Sequence, residues 1–193
     1  MSYEDIKKQF ELLFENRLKE EEAREFLTHL YKKGEEAEEI AAGAAVMRKH
    51  ALTLQISDEL RNKLIDNCGT GGDKSNTFNI STTVSIVIAS MGSYVAKHGN
   101  RSITSRSGSA DMLEALGIRI DLDMESKRKM LEECGFVLMF AQNHHPAMKD
   151  IMPIRKSLDH RSIFNILGPL PNPANVQKHL IGIFSPEFVS KTA

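Results

Sequence analysis

The chain has 193 residues, 41% of them apolar and 26% charged, with a formal net charge of −1. This is the composition of a soluble globular protein of one domain plus a small appendage, and the near-neutral balance argues against a generic nucleic-acid or membrane partner. No apolar run approaches the roughly 20 residues of a membrane-spanning helix. The opening Met-Ser-Tyr-Glu-Asp has no charged and apolar leader pattern, and Cys68 and Cys134 have no partner spacing, so a reduced cytoplasmic protein without a disulfide framework is expected.

Residues 1–62 read as helices. Ile6, Phe10, Leu13 and Phe14 recur at helical spacing, as do Ala23, Phe26, Leu27, Leu30 and Tyr31. Gly34 separates this second helix from a third, striped by Ala37, Ile40, Ala41, Ala44 and Met47, and Ser57 is an N-cap for a short helix ending near Leu64. The pattern changes at Leu64-Ile65-Asp66. Strands are expected there and at Tyr94–Ala96, Ile118–Ile120, Phe136–Phe140 and Leu180–Phe184. Helices are expected at Thr82–Met91, Asp111–Leu116, Met124–Glu133 and Pro146–Leu158. Alternation of this kind predicts an α/β layer with a mostly parallel sheet behind a small N-terminal helical domain, with domains at 1–63 and 64–193. Ser185-Pro186-Glu187 starts another helix six residues before the last residue. Because a sheet that launches a crossover helix usually continues to a further strand, the α/β domain is expected to be incomplete and the chain to be the front part of a longer fold.

Three loops carry the chemistry. Gly69-Thr70-Gly71-Gly72-Asp73 follows a strand, and its glycines let successive N–H groups form an anion-binding nest. It is not a dinucleotide fingerprint, which needs glycine where Lys74 stands, nor a P-loop, since Asp73 precedes Lys74-Ser75. A plain strand–turn–helix link remains the alternative. Asn79-Ile80-Ser81-Thr82 opens an apolar helix whose start can hold an anion or simply be N-capped. Lys97-His98-Gly99-Asn100-Arg101 leads through a stretch rich in hydroxyls to Ser107-Gly108-Ser109-Ala110-Asp111; Lys97, Arg101 and Arg106 can balance phosphate charge or form a solvated basic loop. Three such loops within residues 66–111 point to a ligand with more than one phosphate. His144-His145 lacks metal-ligand spacing and is read as structural. Arg155 could meet a carboxylate, a weak signal by itself.

Taken in order, Gly69–Asp73, Asn79–Thr82, Lys97–Ser105, Ser107–Gly117, His144–Met148 and Ile163–Leu170 resemble the anthranilate phosphoribosyltransferase family. The resemblance implies the nucleoside phosphorylase/phosphoribosyltransferase class of fold. It implies transfer of ribose 5-phosphate from phosphoribosyl pyrophosphate to the amino group of anthranilate in tryptophan biosynthesis, with Mg²⁺ as cofactor. It implies a homodimer formed through the helical domain. Gly69, Gly72, Asp73, Thr77, Asn79, Ile80, Ser81, Thr82, Lys97 and Ser109 would hold the sugar donor, and His98, Gly99, Asn100, Arg101, Ser102, Ile103, Thr104 and Ser105 would complete a loop closing over it. Ser81 would contribute to a magnesium site, while Gly69, Asn100 and Arg155 would face anthranilate, with Arg155 near its carboxylate. Two departures stand out. The family's glycine after the substrate arginine is replaced within Leu158-Asp159-His160-Arg161, placing an acid near the proposed carboxylate grip, and the family's Asp-Glu magnesium pair is not present in these residues. A non-catalytic homologue that binds a phosphorylated ligand or a partner is the alternative reading.

Overall fold

A computed structural model describes residues 2–71, 77–102 and 107–193. In chain order the elements are α1 (Tyr3–Phe14), α2 (Glu20–Lys33), α3 (Ala37–Lys49), α4 (Asp58–Lys63), β1 (Leu64–Gly69), α5 (Ile80–Ser90), β2 (Tyr94–Gly99), α6 (Ser109–Ala115), α7 (Met124–Cys134), β3 (Phe136–Phe140), α8 (Ala141–His144), α9 (Met148–Lys156), α10 (Phe164–Leu167), β4 (Lys178–Gly182) and α11 (Val189–Thr192), the last preceded by a 3₁₀ turn at Pro186–Phe188. No helix of the described residues is long and apolar enough to cross a membrane.

Contacts divide the chain into two units: residues 1–51, 145–171 and 185–193, and residues 52–144 with 172–184. Residues 52–63, expected in the helical domain, belong to the second unit. The helical unit draws on three stretches of chain, since residues 145–171 and 185–193, expected in the α/β domain beyond residue 63, pack with it. The reason is apolar. Ile151, Ile154, Ile163, Phe164, Ile166 and Leu167 are all buried, and Phe164 stacks edge-on to Phe10 at 6.5 Å between ring centroids.

In the helical unit, α1 begins with a capping box: the Asp5 N–H donates to Ser2 Oγ, and the Ser2 N–H donates to Asp5 Oδ2. α2 stops at Gly34, which takes φ +83°. Phe10 has no exposed surface and makes a second edge-on contact with Phe26 at 5.2 Å. Glu35, fully buried, accepts two hydrogen bonds from the Arg161 guanidinium at 2.6 and 2.8 Å. Lys191 donates to the Glu35 carbonyl at 2.9 Å. A buried carboxylate needs this degree of pairing.

The second unit is a four-stranded parallel sheet in the order β3-β2-β1-β4. Its registers pair Ile65 with Val95 and Lys178, and Ala96 with Val137. One face buries Leu64, Ala96, Val137 and Met139 with Leu54, Leu131 and Ala174, and the other buries Val95, Phe136, Leu138 and Phe140 with Ala110 and Leu113. Gly135 ends α7 in the left-handed region at φ +68° and turns the chain directly into β3. The expected strand at Ile118–Ile120 does not form. Gly117, at φ +79°, turns the chain, the Ile118 N–H returns to the Leu113 carbonyl, and Ile120 is buried as a side chain without a ladder partner among the described residues. β4 begins two residues before its expected start, and the helix expected over Pro146–Leu158 is confined to Met148–Lys156.

His144 has the structural role its sequence context indicated. Its Nδ1 donates to the Leu52 carbonyl at 2.6 Å, which leaves Nε2 to accept from the buried Lys127 ammonium at 2.8 Å. Burial pushes the His144 pKa down to about 4. A histidine held neutral in the fold contributes stability that is complete above its unfolded pKa and is lost as pH falls towards the folded value. Wild type is expected to lose about 1–2 kcal/mol between pH 6.5 and 5. In chemical denaturation at several pH values, a His144→Gln variant should lack that part of the slope. Phe10→Ala is expected to cost the helical unit about 3–5 kcal/mol, read as a lowered denaturation midpoint.

Candidate functional site

All four strands run the same way, so Gly69, Gly99, Phe140 and Gly182 end β1, β2, β3 and β4 at one edge of the sheet. Ligands of open α/β sheets bind outside such carboxyl ends. The three phosphate-type loops all start or finish here. Gly72, Asp73, Ile103, Thr104 and Ser105, together with Lys74 and Arg106, lie outside the described residues.

Lys97 is the centre of the arrangement. It sits near the end of β2 with 1% of its surface exposed. Its ammonium donates to the Asn67 carbonyl of β1 at 2.6 Å and to the Ser81 hydroxyl of α5 at 3.4 Å. Burial pulls its pKa below the ordinary lysine value, while Asp66 works in the opposite direction. Asn67 donates through Nδ2 to the Ser81 carbonyl at 2.9 Å, and its Oδ1 accepts from the Ser85 hydroxyl. Ser85 also donates to the Ser81 carbonyl at 2.8 Å. The start of α5 is therefore fixed to β1 and β2 by polar groups.

α5 consequently has a mixed buried face, with Ile86, Ile88 and Ala89 packed against the sheet beside hydroxyl residues. Thr82 and Ser85 are its buried residues, whereas Val84, Val87 and Met91 are exposed. Ile80, named as a ligand-loop residue, is about half exposed beside them. Thr77 is exposed, and Asn79 reaches across to the third loop, donating to Ser107 Oγ at 2.9 Å.

At the end of β2 the backbone is crowded. A Cβ on Gly99 would collide with the Ser109 side chain, and one on Gly108 with the Asn100–Ser102 backbone. Ser109 Oγ accepts from the Asn100 N–H and donates to the Asn100 carbonyl, both at 3.1 Å. Asp111 Oδ2 accepts from the N–H groups of Gly108 (2.7 Å) and Ser102 (3.1 Å). Those amides first, and Arg101 after them, hold the Asp111 carboxyl below the ordinary range. Arg101 is clamped by Asp111 at 3.0 Å and by both Glu114 oxygens, over the Phe140 ring. The basic stretch thus acquires its acids from α6, and of its described cations Lys97, not Arg101, lacks a carboxylate hydrogen bond.

Asp66 and His98 lie on the opposite face of the sheet, since strand neighbours alternate. The His98 N–H donates to Asp66 Oδ1 at 3.2 Å. Asp66 is fully buried, and burial works to raise its pKa. Hydrogen bonds from His179 and Asn172, with the Lys97 charge, more than offset this and bring it below the ordinary value. Gly69 abuts the Gly182 carbonyl, and the Thr70 N–H donates to that carbonyl at 2.9 Å, which ties the glycine loop to β4.

Arg155 belongs to the helical unit, on α9. It donates to Ser162 Oγ at 3.2 Å and lies over Phe164, and burial lowers its pKa to about 10. Asp159, the acid expected to disturb it, is 99% exposed and meets His160 at 3.9 Å instead.

A parallel sheet whose carboxyl edge carries glycine turns, a helix start and a buried ammonium has the features of an anion-binding edge. Residues 61–193 match the glycosyl transferase family a/b domain, and residues 1–51 match the same family's helical bundle domain. The chain belongs to this glycosyl transferase family. The anthranilate phosphoribosyltransferase of Persephonella marina is 44% identical over the whole chain, which covers 56% of that relative. The crystal structure of the Thermus thermophilus anthranilate phosphoribosyltransferase matches 100% of the chain with a TM-score of 0.92 at 40% identity, using 57% of its own length. The Saccharomyces cerevisiae enzyme in complex with phosphoribosyl pyrophosphate and Mg matches 98% of the chain and 56% of its own, with a TM-score of 0.89 at 29% identity. The chain spans about half the length of the relatives it matches.

Sequence reasoning passed over Asn67 and Ser85, which lock Lys97 and α5 together. The only linear signal was a polar residue where a strand and an apolar helix should be hydrophobic. Asp111→Ala is expected to release the third loop: amide hydrogen exchange at Ser102 and Gly108 should speed up by about tenfold or more, with exchange in β3 unchanged.

Proposed function

We propose that the protein of which this chain is part transfers the phosphoribosyl group of phosphoribosyl pyrophosphate to the amino group of anthranilate, and that the 64–193 region binds the sugar donor. The observation that carries this reading is the Lys97 ammonium, buried at the carboxyl edge of the sheet with the Ser81 hydroxyl and the start of α5. Breaking the anomeric C–O bond builds positive charge on the ribose and negative charge on the departing pyrophosphate. Fixed donors aimed at the leaving group are the effective catalysts of such a step. Lys97, the first N–H groups of α5 and the hydroxyls of Ser81, Thr82 and Ser109 are those donors. Gly69, Gly72, Asp73, Thr77, Asn79 and Ile80 are assigned to the same ligand, and the segment from His98 to Ser105 to the loop closing over it.

Mg²⁺ fits this edge in a restricted way. It prefers oxygen donors and ordinarily keeps waters while bridging substrate phosphates. The Ser81 hydroxyl is one such oxygen, turned to the same point as the Lys97 ammonium. Bound there, the ion would neutralise pyrophosphate charge. No side-chain nucleophile is required, because the anthranilate amine attacks; Asn100 and Arg155 are assigned to orienting it, and a guanidinium over an aromatic ring without an acidic partner among the described residues is suited to a carboxylate. The helical unit is assigned to homodimer formation and the protein to the cytoplasm.

Calorimetric titration with Mg²⁺–phosphoribosyl pyrophosphate tests the reading. Wild type should bind, and Lys97→Ala should bind about 10–100-fold more weakly, the value of a lost charged hydrogen bond. Equal affinity in both would reject the assigned role of Lys97. Loss of anthranilate fluorescence in the presence of the sugar donor, followed on the full-length protein, separates a transferase from a homologue that only binds phosphorylated ligands.

A further inference from the structure

Behind the phosphate edge, on the face of the sheet away from Lys97, three donors of different kinds converge. Asp66 and Cys68 are two apart on β1 and so point to one face. His179 on β4 is the register partner of Asp66, which brings its ring beside both. His179 Nε2 lies 3.0 Å from Cys68 Sγ and 3.2 Å from Asp66 Oδ2, and all three donor atoms fall within 4.8 Å of one another. Asp66 and Cys68 are buried, and the His179 side chain is 18% exposed at β4.

We infer that Asp66, Cys68 and His179 form a site for a thiophilic divalent cation of the zinc type, separate from the magnesium chemistry of the phosphate edge. Zinc bonds of about 2.3 Å to sulfur and about 2.0–2.2 Å to nitrogen or oxygen place tetrahedral donors roughly 3.3–3.7 Å apart. The His179–Cys68 and His179–Asp66 separations require an outward movement of the imidazole of only a few tenths of an ångström, within reach of a histidine on β4. A carboxylate and a thiolate together balance a divalent charge. The thiolate selects against Mg²⁺, which demands oxygen ligands. The His98 N–H donates to Asp66 Oδ1 at 3.2 Å and Asn172 donates to Oδ2 at 2.8 Å, so the carboxylate is fixed as outer partners fix metal ligands.

At neutral pH an ordinary cysteine thiol carries its proton. Binding exchanges that proton for the metal: the S–H bond breaks, an S–metal bond forms, and one proton passes to solvent. The remaining tetrahedral position is left for water. The ion would cross-link β1 to β4 directly under the glycine loop.

Cobalt(II) provides the test, because tetrahedral thiolate–cobalt centres have an intense near-ultraviolet charge-transfer band. The 193-residue chain, titrated with Co²⁺ under reducing conditions, should develop the band at one equivalent. Zn²⁺ should bleach it, and excess Mg²⁺ should leave it unchanged. Cys134→Ser should retain the band. Cys68→Ser should abolish it, and His179→Gln should weaken binding at least about tenfold, each with wild-type far-ultraviolet circular dichroism. Absence of the band in folded wild type, its survival in Cys68→Ser, or its loss in Cys134→Ser would each overturn the site. Zn²⁺ should also raise the thermal midpoint of wild type but not of His179→Gln; equal shifts in both would count against it.

Discussion

Burying the Lys97 ammonium is the constraint around which the second unit is organised. A cation withdrawn from water is tolerated only where polar groups replace its hydration. Here the Asn67 carbonyl and the Ser81 hydroxyl do so, with the Asp66 charge nearby on the other face. The Asn67 carbonyl is a main-chain group; the polar side chains at this interface, Asn67, Ser81 and Ser85, bond the start of α5 to the sheet beside the ammonium. Positioning chemistry and structural chemistry are therefore the same set of hydrogen bonds.

The interface between α5 and the sheet has a second consequence. The helix packs on the sheet through Ile86, Ile88 and Ala89 as well as through Thr82 and Ser85, and leaves Ile80, Val84 and Val87 exposed. Apolar periodicity alone would not have placed two hydroxyl residues at its most buried positions. Arg101 shows the opposite compromise. Its charge is committed to Asp111 and Glu114, so it braces the loop around Ser102 and Gly108, whereas Lys97 is held ready by groups without formal charge. Where both cations looked equivalent in the linear sequence, α6 distinguishes them.

The helical unit solves a different problem. Its aromatic centre at Phe10, Phe26 and Phe164 and its buried Glu35–Arg161 pair recruit chain from well beyond the first four helices. The Leu158–Arg161 stretch leaves this intact. Asp159 points into solvent, His160 stacks on Tyr31 at 4.2 Å, and Arg161 supplies the partner that Glu35 requires.

The sequence by itself determined the longer helices and most strands, because apolar periodicity and a cap such as Ser57 act over a few residues. It marked the glycine, hydroxyl and lysine positions near the sheet edge, but Lys97, His98 and Gly99 complete β2 and Ile80, Ser81 and Thr82 open α5. It failed at Ile118–Ile120, where two isoleucines flanking Arg119 have strand-like spacing but Ile120 is buried without a ladder partner among the described residues. It also failed at residues 145–171, whose allegiance to the helical unit depends on contacts made with Phe10 more than a hundred residues away. Only the tertiary structure decided which cation is buried, which carboxylates neutralise Arg101, and that Asp66, Cys68 and His179 meet. Those outcomes follow from strand register and from the alternation of side chains across a parallel sheet, and both come into being only when distant segments pair.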